Sequence, residues 1–212
     1  MFARGSPELG SSAGQTRRGH MNRILACLLA GLLAMLGAGA AQAKSCEGVS
    51  FADTVQAEGA TLKLNGLGLR KATFLKVKVY VGALYLPQTS KDANAILKAN
   101  APKRLVLHFV RDVGGDDLSK GWDEGFEKNA GSQLAALKPR IESFKAMMTD
   151  VEKGDTLGMQ HKPGAGVEVT VKGASKGTIK GDDFARALFA IWLGAKPPNA
   201  DLKSGLLGGP CE

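Results

Sequence analysis

The sequence predicts an α+β fold, a mainly antiparallel sheet with helices packed on one face. Segments with two-residue alternation cluster around residues 60 to 86, Leu105 to Phe109, and the stretch from Pro163–Gly166 to Ile179. Segments with apolar residues every three or four positions stand between and after them, without a regular βαβ order or an internal repeat.

The fold is expected to occupy residues 44–212. Arg23 precedes an unbroken small and apolar run from Ile24 to Ala41, which ends in Ala41-Gln42-Ala43. A positive start, an apolar middle and small residues at the end describe a secretory signal over 21–43, with cleavage after Ala43. An uncleaved anchor is the alternative. Residues 1–20, rich in Gly, Ser and Arg, read as a leader or a mis-set start ahead of Met21. The expected location is periplasmic or secreted, with no stable membrane span once the signal is removed.

Charge and cysteines narrow the partners. The formal charge of +8 falls to about +5 after residue 43, spread along the chain without a basic stripe and interleaved aromatics, so no nucleic-acid partner is expected. Cys27 lies in the signal, which leaves Cys46 and Cys211, one near each end of the domain. In an oxidising compartment such a pair suggests a disulfide; two free thiols are the alternative.

Thr61 to Leu64 alternates and Asn65-Gly66 reads as a turn, followed by a long strand from Phe74 to Leu86. One face of that strand carries Val77, Val79, Val81, Ala83 and Tyr85, and is expected to meet the core. The other carries Lys76, Lys78, Tyr80, Gly82 and Leu84, and is expected to face solvent or a cleft. Lys91–Ala99 suits a short helix, and Pro102 separates it from the strand with Leu105, Leu107 and Phe109. Asp116 and Asp117 open a helix with Leu118, Trp122 and Phe126 on one face, and Asn129, seven residues after Trp122, returns to it. A further helix, started or kinked by Pro139, buries Ile141, Phe144 and Met148. Strands flank Pro163–Gly166, and Lys176-Gly177 turns into another near Thr178-Ile179. Asp182 or Asp183 caps a strong helix with Phe184, Leu188, Ile191 and Trp192, which Gly194 ends as a left-handed stop before Pro197-Pro198.

The common catalytic constellations are poorly supplied. His108 and His161 have no Cys or His at metal-ligand spacing, and neither a nucleophile elbow nor a phosphate loop is present. No cofactor and no metal are expected, and both histidines read as structural.

The segment Asn65-Gly66-Leu67-Gly68-Leu69-Arg70, followed by Lys78-Val79-Tyr80-Val81-Gly82-Ala83-Leu84-Tyr85-Leu86, resembles the chalcone isomerase family. So do the Trp122/Asn129 spacing, the helix Phe189–Gly194 and the later Asp201-Leu202-Lys203. The resemblance spans nearly all of residues 47 to 208 and implies the chalcone isomerase-type open-faced sandwich. It also implies a reaction in which a phenolate adds within the molecule to an enone, with an arginine stabilising the charge that moves onto oxygen. The match places that arginine at Arg70. The family's strand threonine, helix tyrosine and C-terminal threonine fall on Tyr80, Trp122 and Ile191, and only Asn129 keeps its type.

With the hydroxyl network gone, the resemblance implies a relative of the family's fatty-acid-binding branch rather than an isomerase. The ligand-binding candidates are Arg70, Tyr80, Trp122, Asn129, Ile191 and Trp192, with Arg70 and Asn129 as catalytic candidates if the chain is an enzyme. The ligand would be a small, partly apolar acid such as a fatty acid. The alternatives are an intramolecular lyase of the chalcone isomerase type and a structural or interaction protein without a ligand. Each residue also has a plain structural role open to it: Arg70 pairing with a carboxylate such as Asp53, Tyr80 on a strand surface, and Trp122 and Trp192 in the core.

Overall fold

The computed structural model of the chain describes residues 43–57 and 59–212, which belong to one compact unit. The expected leader over 1–20 and signal over 21–43 lie outside the described residues, apart from Ala43.

Strands β1 (Ala43–Cys46) and β2 (Val49–Ala52) make a hairpin of their own. Strands β3 (Thr54–Ala57), β4 (Ala60–Ala72), β5 (Val77–Leu86), β6 (Lys103–Phe109), β7 (Thr156–Lys162), β8 (Gly166–Val171) and β9 (Ala174–Lys180) pair in chain order as one seven-stranded antiparallel sheet. Helix α1 (Ala93–Lys98) links β5 to β6. Helices α2 (Gly115–Asn129) and α3 (Leu134–Lys145), joined by a 3-10 turn, link β6 to β7. Helices α4 (Asp182–Leu193) and α5 (Ala200–Leu206) follow β9.

The helices cover one face, as expected for this α+β class, and bury Leu84, Leu105, Leu107, Leu157 and Val169 against Phe126, Phe184 and Trp192. The other face is not left to solvent. Val81, Ala83 and Tyr85 point there into a second core with Leu62, Leu69 and Phe51 of the β1–β2 hairpin. Both faces of β5 are therefore buried from Tyr80 to Leu86, which corrects the expectation of one core face and one open face. Cys46 and Cys211 are joined in a disulfide with Cα atoms 6.0 Å apart, closing 165 residues of sequence. For a loop of that length the chain-entropy estimate is about 5 kcal/mol of stabilisation as an upper figure.

Other boundaries move for local reasons. Asn65-Gly66 is no turn: β4 runs through it with a register irregularity, and the buried Asn65 amide donates to the Ser90 and Leu206 carbonyls and accepts from the Ser90 N–H. Strand β5 starts at Val77, because Thr73–Lys76 make the reversal and leave Phe74 and Leu75 in solvent. The β8–β9 hairpin turns at Lys172-Gly173, which hold φ of 53° and 76° as a two-residue loop requires, rather than at Lys176-Gly177. Pro139 sits inside α3, and Met148 lies beyond its end, half-buried.

Gly181, not an aspartate, occupies the N-cap of α4. Asp183 instead receives two hydrogen bonds from Arg140, at 2.7 and 2.6 Å, and Asp182 accepts from the Gly164 N–H. Gly194 is extended (φ −72°, ψ −170°) rather than left-handed. The helix end is satisfied from outside, by the Lys203 ammonium donating to the Gly194 carbonyl at 2.7 Å.

Both domain histidines sit within the packing. His108 lies edge-on to Phe51. His161 is buried between the Ala101 carbonyl and Asp182, at 3.0 and 2.9 Å, beside the buried Lys103.

Candidate functional site

A cavity of about 640 Å³ opens between the Arg70–Thr73 and Val79–Tyr80 stretches of the β4–β5 ribbon on one side and α2, the end of α4 and the loops beside them on the other. Its inner wall is apolar and aromatic: Tyr80, Phe109, Trp122, Ile191 and Trp192 are all buried. Its rim is charged and more exposed, with Arg111, Lys120, Lys128 and Lys196 beside Asp112, Asp117 and Glu124; Lys120 pairs with Asp117 and Lys128 with Glu124.

The Gly66-x-Gly68-x-Arg70 pattern explains where the cavity begins. Gly66 and Gly68 lie under α5 so closely that a Cβ on either would collide with the backbone of Gly205 or Leu202; Gly205 is equally bare in return. Two positions on, past the glycines, Arg70 lines the cavity. Helix α5 is anchored beside it by Asn199, which donates to the Leu69 carbonyl at 3.2 Å and accepts from the Lys71 N–H.

Arg70 and Tyr80 are cross-strand register partners and share a face. The half-buried Arg70 guanidinium donates to the Lys71 carbonyl, and no carboxylate is paired with it among the described residues. The Tyr80 hydroxyl accepts from Trp192 Nε1 at 2.9 Å, which leaves its own proton available for donation. Burial raises the Tyr80 pKa, with the Trp192 hydrogen bond and the Arg70 charge acting the other way, so Tyr80 is a neutral phenol at ordinary pH.

Trp122 packs edge-on against both Trp192 and Phe144, with centroids 5.7 and 5.2 Å apart. Its buried indole N–H has no hydrogen-bond partner among the described residues. Ile191 reaches α2 at Gly125, where a Cβ would stand 2.8 Å from the isoleucine Cγ2. Gly121, one turn earlier, lines the cavity with nothing near its missing side chain.

Five of the six residues singled out from the sequence, Arg70, Tyr80, Trp122, Ile191 and Trp192, therefore line one cavity. Asn129 does not. It ends α2, and its amide donates to the Gly125 and Lys196 carbonyls at 3.0 Å each while accepting from the Lys196 N–H. It ties α2 to the chain leaving α4, a positioning task that consumes its hydrogen-bonding capacity. Sequence reading also missed Arg111, Lys196, Pro197 and Pro198, which reach the cavity from loops. The two interior helical glycines, each less favourable than alanine by about 1 kcal/mol, were the available signal for Gly121 and Gly125.

A family model described as chalcone isomerase-like matches residues 43–208. The chain belongs to the chalcone isomerase-like family. Among solved structures, it is similar to the crystal structure of a fatty-acid binding protein from Arabidopsis thaliana, with a TM-score of 0.63 and 15% sequence identity over 78% of this chain and 96% of that one. That likeness establishes the fold of this family member. No curated protein sequence matches the chain significantly.

Proposed function

We propose that this chalcone isomerase-like protein binds a small, partly apolar carboxylic acid, of the fatty-acid kind, in the cavity beside Arg70 and does not catalyse ring closure. The observation that carries the reading is a group of three donors without acceptors, Arg70, Tyr80 and Trp122, among the residues that line that cavity, whose carboxylates Asp112, Asp117 and Glu124 belong to the charged rim. Among the described residues Arg70 has no carboxylate partner, Tyr80 keeps a free proton, and the Trp122 N–H is buried unpaired. These three donors, one of them cationic, suit an anion with two oxygens, to which guanidinium offers charge-assisted hydrogen bonds. The apolar walls suit the rest of an acyl chain. The fatty-acid binding activity named for the structural neighbour from Arabidopsis thaliana agrees with this reading.

The absence of catalysis follows from the residues that replace the family's hydroxyls. Trp122 and Ile191 offer no hydroxyl to hold a water at a ketone, and Tyr80, whose oxygen accepts from Trp192, brings a single donor where the family has a network. Export fits the disulfide, since such bonds persist in oxidising compartments. On this reading 21–43 is removed as a signal and residues 44–212 are released. No helix among the described residues is long and apolar enough to cross a membrane.

A native mass spectrum of freshly purified protein is expected to carry an added mass of acyl-chain size, and delipidated protein to take up a fluorescent fatty acid. Protein that carries no such mass and takes up no probe contradicts the proposal. The mass of the exported chain is expected to begin at Lys44.

A further inference from the structure

Two large apolar side chains stand in solvent among the described residues, and they are neighbours: Phe74 is 91% exposed and Leu75 69%. They occupy the two central positions of the turn that joins β4 to β5, closed by the Lys76 N–H donating to the Thr73 carbonyl at 3.2 Å. Turn tips are ordinarily filled by Gly, Asn, Asp or Ser, so neither side chain is there for the turn's sake. The backbone is also held in an uncommon conformation, with φ of 61° at Thr73 and 52° at Lys76. For a β-branched residue a positive φ is a genuine outlier, and such strain persists where the surroundings impose it.

The tip is flanked by cations. Lys71 and Lys78 are direct cross-strand partners, an unfavourable juxtaposition, and Lys76 lies between them at the turn. The one carboxylate paired with any of these three among the described residues is Glu47, on Lys78 at 2.6 Å. Thr73 and Ala72, at the base of the tip, line the cavity, whose rim adds Arg111 and Lys196 together with Asp112 and the Lys120–Asp117 and Lys128–Glu124 pairs.

We infer that the Phe74-Leu75 tip docks on a lipid surface bearing anionic headgroups, with its lysines on the phosphates and the two apolar side chains below them. An apolar contact of this size holds a membrane only marginally, and a second, electrostatic signal completes it. A narrow convex turn offers far less area than the roughly 800 Å² per partner of a stable protein interface. Two copies meeting tip to tip would bring their lysines together. Docking in this way sets the cavity mouth at the bilayer, where an amphiphilic acid is found. That delivery role rests on the proposed acid binding; the docking does not.

The test uses the released chain, residues 44–212, with the disulfide intact, a unit that contains both of its cores, and vesicles of phosphatidylcholine with and without phosphatidylglycerol. The protein is expected to float with the anionic vesicles only, and less as salt is raised. Phe74→Ser with Leu75→Ser is expected to weaken partitioning at least tenfold at unchanged melting temperature, since both side chains are already in solvent. Lys71→Gln and Lys76→Gln are each expected to weaken it about fivefold. Phe74→Trp is expected to shift its emission to the blue on binding, over the constant background of Trp122 and Trp192. The inference is overturned if the protein ignores anionic vesicles, if the double serine variant binds as well as the parent, or if Trp at 74 shows no shift. Concentration-dependent dimers without vesicles, abolished by the serine pair, overturn it in favour of self-association. Fatty-acid uptake measured in detergent-free buffer separates failure of docking from failure of the acid-binding proposal.

Discussion

The two ends of the β4–β5 ribbon carry similar alternating sequence and meet opposite fates. Around Gly66–Gly68 and Gly82–Leu86 the ribbon is buried on both faces, under α5 on one and the β1–β2 hairpin core on the other. From Arg70 and Tyr80 outward the helices withdraw, a cavity replaces them, and the ribbon ends in an exposed apolar turn. The difference lies less in the strand than in what approaches it. Paired glycines admit a helix backbone at one end, while Arg70 and Tyr80, with the bare Gly121 on the facing helix, border an open space at the other.

That contrast is broken most directly at the closed end. Gly68→Val places a side chain into the α5 backbone and is expected to cost about 3 kcal/mol or more, read as a lowered urea midpoint. At the boundary between the ends, Tyr80→Phe leaves the buried Trp192 N–H without its acceptor. The expected loss is about 1–3 kcal/mol in the same experiment. At the open end Gly121→Ala meets no atom and is expected to stabilise by up to about 1 kcal/mol through helix propensity, seen as a raised melting temperature.

The smallest effect concerns alkaline pH. Burial, with help from the Arg186 charge and against that of Asp182, lowers the pKa of Lys103 to about 8. Between about pH 8 and the ordinary lysine value the unfolded chain binds more protons than the folded one, so stability is expected to rise with pH across that window. Lys103→Met is expected to remove this rise from the pH dependence of the urea midpoint.

Much of the fold was legible where a pattern reflects local geometry. The strict alternation of β6 and the four-residue spacing of Leu118, Trp122 and Phe126 needed no partner to be read. The disulfide was legible from two cysteines at the ends of the domain. The reversal at Thr73–Lys76 was not, because its residues lack the Gly or Asn that positive φ favours. Nor was the continuity of β4 through Asn65-Gly66, since the groups that satisfy Asn65 come from Ser90 and Leu206.

Within the candidate site, Arg70 and Tyr80 could be placed through the family resemblance, and their common face is now explained by register. Asn129 lies outside the cavity lining, and its position two turns after Trp122 suits a cavity donor and a helix-end tether equally. Its hydrogen bonds to Lys196, on a distant stretch of sequence, could not be read from that spacing. The loop residues Arg111 and Pro197 have no periodicity to betray them.

The measurement closest to the central claim compares the affinity of delipidated protein for a long-chain carboxylic acid and for its methyl ester, in the parent and in Arg70→Gln. Recognition of an anion by the guanidinium predicts that the parent prefers the acid at least tenfold and that Arg70→Gln erases the preference at unchanged melting temperature. A parent that binds acid and ester alike, or a preference that survives the substitution, contradicts the account.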